Sequence, residues 1–337
     1  MNTEHLFPHN TNDIARAGYL LRAGELVAVP TETVYGLAAD ASNAAAVAKI
    51  FAAKGRPADH PLIVHLAGLD QLTRWACEIP DWLPPVLTQL WPGPLTVILK
   101  KQPHVSDVIT GGLPTVGLRV PNHPVLRDLL QQFDLAVAAP SANPYQQLSP
   151  TRAEHVLAGL RGKIAAVLDG GPCTLGTEST ILRIDHDHAE VLRQGPLSAA
   201  TLQELLPVPV HTPVRHQHAV SGNKKVHYRP RAHVQLLPSE ALQQQWPQRH
   251  ATTGKRVGAL VYSAPLDGDT TAVLRVPPTH HDYRQRLYAA LFELDQRGLD
   301  EIWVELPPQE PEWADIHDRL QRAAGSADER ESATDQH

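Results

Sequence analysis

The sequence predicts a two-domain protein of mixed α/β class, and three observations carry that reading. Over the first two hundred residues, short apolar runs of strand length alternate with segments of helical periodicity. Prolines number 30 among 337 residues, about 9% against an average near ~5%, which suits many short elements joined by turns. A basic, proline-bearing stretch then breaks the pattern before strands and helices resume at Val234. Hydrophobic residues make up 42% and charged residues 20%, the balance of a folded protein able to bury a core.

The elements follow in order. Asn10 to Gly24 reads as a helix, with polar caps, Ile14, Ala17, Leu20 and Leu21 on one face, and a terminal glycine. Leu26 to Val29 is a short buried strand ended by Pro30. Asn43 to Ala53 is an alanine-rich helix striped by Val47, Ile50 and Phe51. Further strands are expected at Pro61–Leu66, Leu95–Lys100, Val116–Val120, Leu135–Ala139 and Ala165–Leu168. Ser179–Ile184 and Glu190–Arg193 form a strand pair around a His-Asp turn. Helices fit at Asp81–Leu90, His123–Phe133, Thr151–Leu160 and Ser198–Leu205. The domains divide as 1–208, a linker 209–233, a small α/β unit 234–324 and an acidic tail 325–337. In the second unit, Val257–Tyr262 and Ile302–Glu305 are strands, and Tyr283–Arg297 and Ala314–Ala324 helices.

Several function classes drop out. The longest apolar runs fall short of a membrane span. Met1 to Asn10 carries neither a basic leader nor an apolar run, so a cytoplasmic address is expected. Cys77 and Cys173 make neither a disulfide framework nor a zinc knuckle. The net charge of −6 exerts no global pull on nucleic acid, so any anion site must be local. Walker, dinucleotide-fold, zincin and nucleophile-elbow motifs are absent. His280-His281 has no carboxylate or thiol at ligand spacing and reads as a solvated loop.

Four polar segments interrupt strand ends, where ligand sites of α/β folds lie. Pro30-Thr31-Glu32-Thr33-Val34-Tyr35-Gly36-Leu37 follows a buried strand; it serves equally as an ordinary turn. Lys54-Gly55-Arg56-Pro57, with Asp59-His60-Pro61 behind it, suits either a solvated helix terminus or a polyphosphate held by a lysine and an arginine fork. Ala139 to Pro144, continuing to Ser149-Pro150-Thr151, offers hydroxyls and an amide, or merely a helix cap. Asp169-Gly170-Gly171 and Gly176 to Thr180 permit close backbone approach.

PTETVYGL, KIFxxKGRP, PLIVH, WPGPLTVIL, APSAN, SPT, DGG and ESTI occur in the order found in YrdC-like threonylcarbamoyl-AMP synthases, and over residues 10–205 the chain resembles that family. The basic linker with His227-Tyr228-Arg229-Pro230 and the trailing α/β unit resemble its long, two-domain form. Two departures stand out. His60 replaces a common asparagine, and Val220-Ser221-Gly222-Asn223 replaces a common Ser-Pro-Gly-Met.

The resemblance implies a YrdC-like twisted mixed sheet with flanking helices and a concave basic face, plus a smaller Rossmann-like C-terminal domain. It implies synthesis of L-threonylcarbamoyladenylate from L-threonine, bicarbonate and Mg²⁺-bound ATP, for a downstream tRNA-modifying transferase complex. Carried over residue by residue, Thr33, His65, Arg119, the backbone at Ala139 and Ser179 would hold threonine. Arg56, His60, Thr115, Ser141, Ser149, Arg193 and Tyr228 would hold ATP, with Lys54 and Asn143 beside Arg56 at the reacting groups. No metal ligand is assigned. Arg119 offers a bidentate fork to a carboxylate, and the carboxylated amine would attack the α-phosphate in line. The linker, five Lys/Arg without an acid, would order over ATP through Tyr228, so cleavage at Lys224 or Lys225 should slow when ligands bind. The rival reading is a double-stranded RNA-binding module of the same fold, using a basic concave face on which Lys54, Arg56 and Arg119 would serve either purpose. Weak RNA binding beside the synthesis is a further expectation, as is the lack of any membrane association.

Overall fold

Asn10 and Asn43 each turn a side-chain oxygen onto a helix start, accepting from the amides of Asn12 and Ala46. These caps begin the helices Thr11–Arg22 and Ala44–Lys54. The second helix ends at Gly55, whose φ of 65° is the left-handed conformation glycine takes without strain. Both helices belong to the first of two units in the computed structural model, which describes residues 2–212, 228–249, 254–268 and 270–325. One unit comprises Met1–Tyr145 with Ser149–Asn223, the other Gln146–Leu148 with Lys224–His337.

Among the described residues, the first unit is built on eleven strands. In chain order these are β1 (Glu4–Leu6), β2 (Val27–Val29), β3 (Gly36–Asp40), β4 (Ile63–His65), β5 (Leu95–Lys100) and β6 (Thr115–Arg119). Then come β7 (Val137–Ala138), β8 (Ala166–Leu168), β9 (Thr180–Ile184), β10 (Ala189–Arg193) and β11 (Val210–His211). Their order across the sheet is β1-β8-β2-β3-β7-β4-β6-β5-β9-β10-β11, with parallel and antiparallel pairs mixed. The strands and helices expected in this unit are present with bounds shifted by up to two residues. In the second unit, the helix expected at Tyr283–Arg297 begins at His280. His280-His281 therefore opens a helix, with His280 3.4 Å from Asp315, and is not the solvated loop expected. β3 was not expected: Gly-Leu-Ala-Ala-Asp has no β-branched residue, yet all five positions are buried between β2 and β7.

The two faces of this sheet differ. Val64, Val97, Leu99, Val116, Leu118 and Leu182 point into one continuous core shared with Val47, Ile50 and Phe51 of helix Ala44–Lys54. On the opposite face, Val27, Val29, Ala38 and Val137 pack under helices Thr11–Arg22 and Pro124–Gln132. Beyond β7 that same face changes character. It carries Ile63 and His65 on β4, Thr115, Gly117 and Arg119 on β6, Thr96 and Ile98 on β5, and Arg183 on β9. Ile63, Ile98, Thr115 and Arg183 are half-exposed there. A β-carbon on Gly117 would lie 3.1 Å from Ile98 Cδ1 and 3.4 Å from Ile63 Cγ1, so glycine keeps the floor of this face low.

The second unit holds a wholly parallel four-stranded sheet, order β12-β15-β13-β14, from His233–Leu237, Val257–Val261, Val273–Arg275 and Glu301–Glu305. The Glu305 carboxylate, fully buried at the end of β15, accepts from the hydroxyls of Ser239 and Ser263 and the amides of Tyr262, Ser263 and Ala264. It ties three strand ends together. Tyr228 also lies in this unit, buried 5.7 Å from the Tyr288 ring, with the Arg319 guanidinium 5.3 Å from its centroid. Lys224, Lys225 and the stretch Val220-Ser221-Gly222-Asn223 lie outside the described residues.

Candidate functional site

Backbone hydrogen bonds stitch the polar segments together. Leu37 N donates to Pro140 O, Ala142 N to Tyr35 O, Tyr35 N to Pro150 O, and Gly176 N to Thr33 O. Tyr145 N donates to Lys54 O. These bonds join residues 91 to 143 positions apart in the chain, while His65 and Arg119 close the C-terminal ends of β4 and β6.

At that end sits Arg119, 3% exposed. Its Nε donates to Gly93 O at 3.2 Å and its Nη1 to Thr33 Oγ1 at 3.0 Å, while Nη2 is 2.6 Å from Glu32 Oε1. Thr33 is fixed in turn by Thr31, whose Oγ1 accepts from the amides of Thr33 and Val34. His65 lies opposite Arg119 in the parallel register of β4 and β6. Burial and the Arg119 charge push its pKa down to about 3, so it is a neutral imidazole at physiological pH. Ser179 completes the group: its hydroxyl is 2.8 Å from Thr96 Oγ1 and accepts from Arg193 Nη2 at 3.1 Å. Ala139 N is bonded to Ile63 O at 3.0 Å. Of the five residues expected around threonine, Thr33, His65, Arg119 and Ser179 lie toward these ends of β4, β6 and β9, and Ala139 sits level with Ile63, two residues back along β4.

The residues expected around ATP divide. Arg56 Nη2 donates to Pro61 O, and by the register pairing Ile63 with Gly117, Pro61 lies level with Thr115. Arg56, His60 and Thr115 therefore share the far end of β4 and β6, four strand rises or roughly 13 Å from Arg119. A cleft of about 320 Å³ opens at Thr115, lined also by Ile98, Lys100 and Arg183 and by the carboxylates Glu78 and Asp185, with neither Arg56 nor His60 in its lining. Ser141 and Ser149 lie on the loop after β7, where Ser149 Oγ donates to Glu178 Oε1 at 2.6 Å. Arg193 sits with Ser179 at the threonine end, its Nε on Ser179 O. Tyr228 lies in the other unit. Lys54, 5% exposed, turns its Nζ onto the carbonyls of Ser141 and Asn143, each at 2.5 Å, and burial with the Arg56 charge holds its pKa well below the usual range. Asn143, 4% exposed, spends one Nδ2 hydrogen bond on Pro144 O.

Sequence reasoning missed four contributors. Glu32 and Thr96 stand against Arg119 and Ser179 from other segments. Gly117 floors the open face, and Gly195 lies where a β-carbon would come within 2.3 Å of Thr180 N. Only the mid-strand position of Gly117 was a usable signal.

Acid should weaken the fold through histidines such as these. Burial drives His155 down to about 4, and its Nδ1 accepts from the Thr151 amide, a bond that protonation would destroy. Unfolded, the same groups titrate near ~6.5, so below that pH the unfolded chain takes up protons that the folded one refuses. Stability is complete above that pH and falls as pH drops toward the folded values. Between pH 7 and pH 5 each such histidine should cost roughly 2 kcal/mol. Urea unfolding at the two pH values checks this: His155→Gln should lose measurably less stability on acidification than wild type.

A guanidinium buried at strand ends among hydroxyls and a neutral imidazole defines a small-molecule site on an α/β sheet. Nucleic-acid binding demands exposed cations, and Lys54, Arg56 and Arg119 are 5%, 8% and 3% exposed. Comparison with known proteins agrees. Residues 19–195 match the Sua5/YciO/YrdC family model, described as "Telomere recombination", and residues 197–325 match "Threonylcarbamoyl-AMP synthase, C-terminal domain". The threonylcarbamoyl-AMP synthase of Bacillus subtilis is 39% identical over 332 residues, covering 94% of each chain. Sua5 of Pyrococcus abyssi, crystallised with L-threonine, superposes with a TM-score of 0.87 at 33% identity, over 96% of this chain and 98% of that one. YciO of E. coli shares the fold over 58% of this chain, with a TM-score of 0.52 at 22% identity. The chain belongs to the threonylcarbamoyl-AMP synthase family, in its two-domain form. Among the described residues, no helix is long and apolar enough to cross a membrane.

Proposed function

We propose that this protein makes L-threonylcarbamoyladenylate from L-threonine, bicarbonate and ATP, releasing pyrophosphate. The observation that carries the reading is Arg119, buried at the meeting point of Thr33, His65 and Ser179 in a chain 33% identical to a protein solved with L-threonine. Arg119 would take the α-carboxylate, as a fixed planar cation suits a planar anion. Thr33 and Ser179 supply hydroxyls for the substrate's own, and neutral His65 adds no competing charge.

The nitrogen of threonine attacks the carbon of bicarbonate, water leaves, and the resulting N-carboxylate attacks the α-phosphate of Mg²⁺-bound ATP in line, expelling pyrophosphate. Nothing in that sequence requires a covalent enzyme intermediate. The chain contributes position: Arg56, His60 and Thr115 hold the nucleotide roughly 13 Å from Arg119, leaving the α-phosphate between the two ends of β4 and β6. Ser141, Ser149 and Arg193 would add nucleotide contacts, and Asn143, tied to Lys54 through its carbonyl, would set the loop that faces the phosphates. The product would pass to a transferase complex that modifies tRNA.

Pyrophosphate release, measured with each substrate omitted in turn, tests the reading. It should require both threonine and bicarbonate and should drop ~10–200-fold with serine, the usual worth of one methyl group. Equal release without any amino acid would sink it.

A further inference from the structure

Glu32 has no role in the reaction as set out above, yet it is one of the most constrained acids in the protein. Its side chain is 5% exposed, and Oε1 stands 2.6 Å from Arg119 Nη2. Neither carboxylate oxygen is aligned with a hydrogen-bond donor among the described residues. The Thr31 hydroxyl donates to the Val34 carbonyl, and the Thr33 hydroxyl, which accepts from Arg119, has Thr31 Oγ1 at 2.9 Å for its own proton. A buried carboxylate without donors is costly, and an ion pair on one side relieves only part of that cost. Arg119 is also only partly used. Of the five N–H groups of a guanidinium, those on Nε and one on Nη1 are engaged by Gly93 and Thr33.

A buried pair of opposite charges, each with hydrogen-bonding capacity left, is complementary to a zwitterion. We propose that Glu32 receives the α-ammonium of the amino-acid substrate while Arg119 receives its α-carboxylate, making Glu32 a specificity-determining residue that admits only free α-amino acids. This rests on the threonine reading above. Carboxylation of the nitrogen replaces a cation with an anion, so the attraction that seated the substrate becomes a repulsion directed away from Glu32.

Calorimetric titration of the full-length protein with L-threonine and with its deamino analogue, which keeps the carboxylate, hydroxyl and methyl groups, tests the assignment. Wild type should prefer threonine by about tenfold or more, the worth of one charge-assisted hydrogen bond. In Glu32→Gln, threonine should bind about tenfold more weakly, while the analogue binds as well or better, because Arg119 is no longer neutralised. A preference unchanged by Glu32→Gln overturns the proposal. If Glu32→Gln loses both ligands, Glu32→Asp decides. Drawing the carboxylate back by one methylene must lower threonine affinity more than analogue affinity, and equal losses overturn the proposal. Absence of threonine binding by wild type would instead remove the functional reading on which the inference stands.

Discussion

Alanine in place of Arg119 is expected to abolish saturable threonine binding and to destabilise the protein as well. The resemblance implies that Arg119 is a ligand group, and on the sequence reading its loss should leave the fold intact. The structure adds Glu32, buried against it. Truncating Arg119 strands a carboxylate in a dry site, which costs ~3–5 kcal/mol. That is a large share of the ~5–15 kcal/mol by which a domain is stable. Arg119→Ala should therefore unfold at markedly lower urea, and Arg119→Ala with Glu32→Gln should regain most of the loss without regaining threonine. Calorimetry and urea unfolding on the three proteins separate the two effects. Unchanged threonine affinity in Arg119→Ala would falsify the site.

Lys54→Met should separate the two substrates. Lys54 Nζ bridges the carbonyls of Ser141 and Asn143, and its own carbonyl holds the Tyr145 amide, so one residue fastens the loop after β7 at three points. Methionine keeps the volume but leaves two buried carbonyls without donors, at ~1–3 kcal/mol each. The loop that carries Ser141 and Ser149 would then relax. ATP affinity and turnover should fall together by about two to three orders of magnitude, while threonine affinity, set around Arg119, changes little. Steady-state kinetics with each substrate varied decides the point. A Lys54→Met enzyme with normal ATP saturation would show that the loop needs no such fastening.

Much of this was legible before any coordinates. The stripe Val47, Ile50, Phe51 and the alternation through Leu95–Lys100 are periodic signals, and both elements form where the periodicity places them. Thr33, Arg119 and Ser179 could be picked out because the segments bearing them occur in a family's order. What stayed hidden depends on partners far along the chain. Glu32 looked like one polar residue in a turn, since nothing local announces a guanidinium 87 positions away. For Lys54 the residues left a solvated helix end and a phosphate ligand equally open, and its burial against the Ser141 and Asn143 carbonyls was hidden because only tertiary structure covers it. β3 was hidden because its strand character comes from β2 and β7, not from its own small side chains.

The half-covered sheet has a consequence for how long the protein lasts. From β4 to β9, helices close one face, and the other offers a low glycine floor with half-exposed Ile63, Ile98 and Thr115. In a layered α/β domain, strands are held by what lies on both sides of them. On the function proposed above, the substrates would act as the missing layer. A ligand present at a hundred times its dissociation constant adds ~2.7 kcal/mol to the folded state. Copies of the enzyme in a cell well supplied with threonine and nucleotide would then open, and be degraded, about a hundredfold less often than copies in a starved one. Supply would set the abundance of the catalyst as well as its rate.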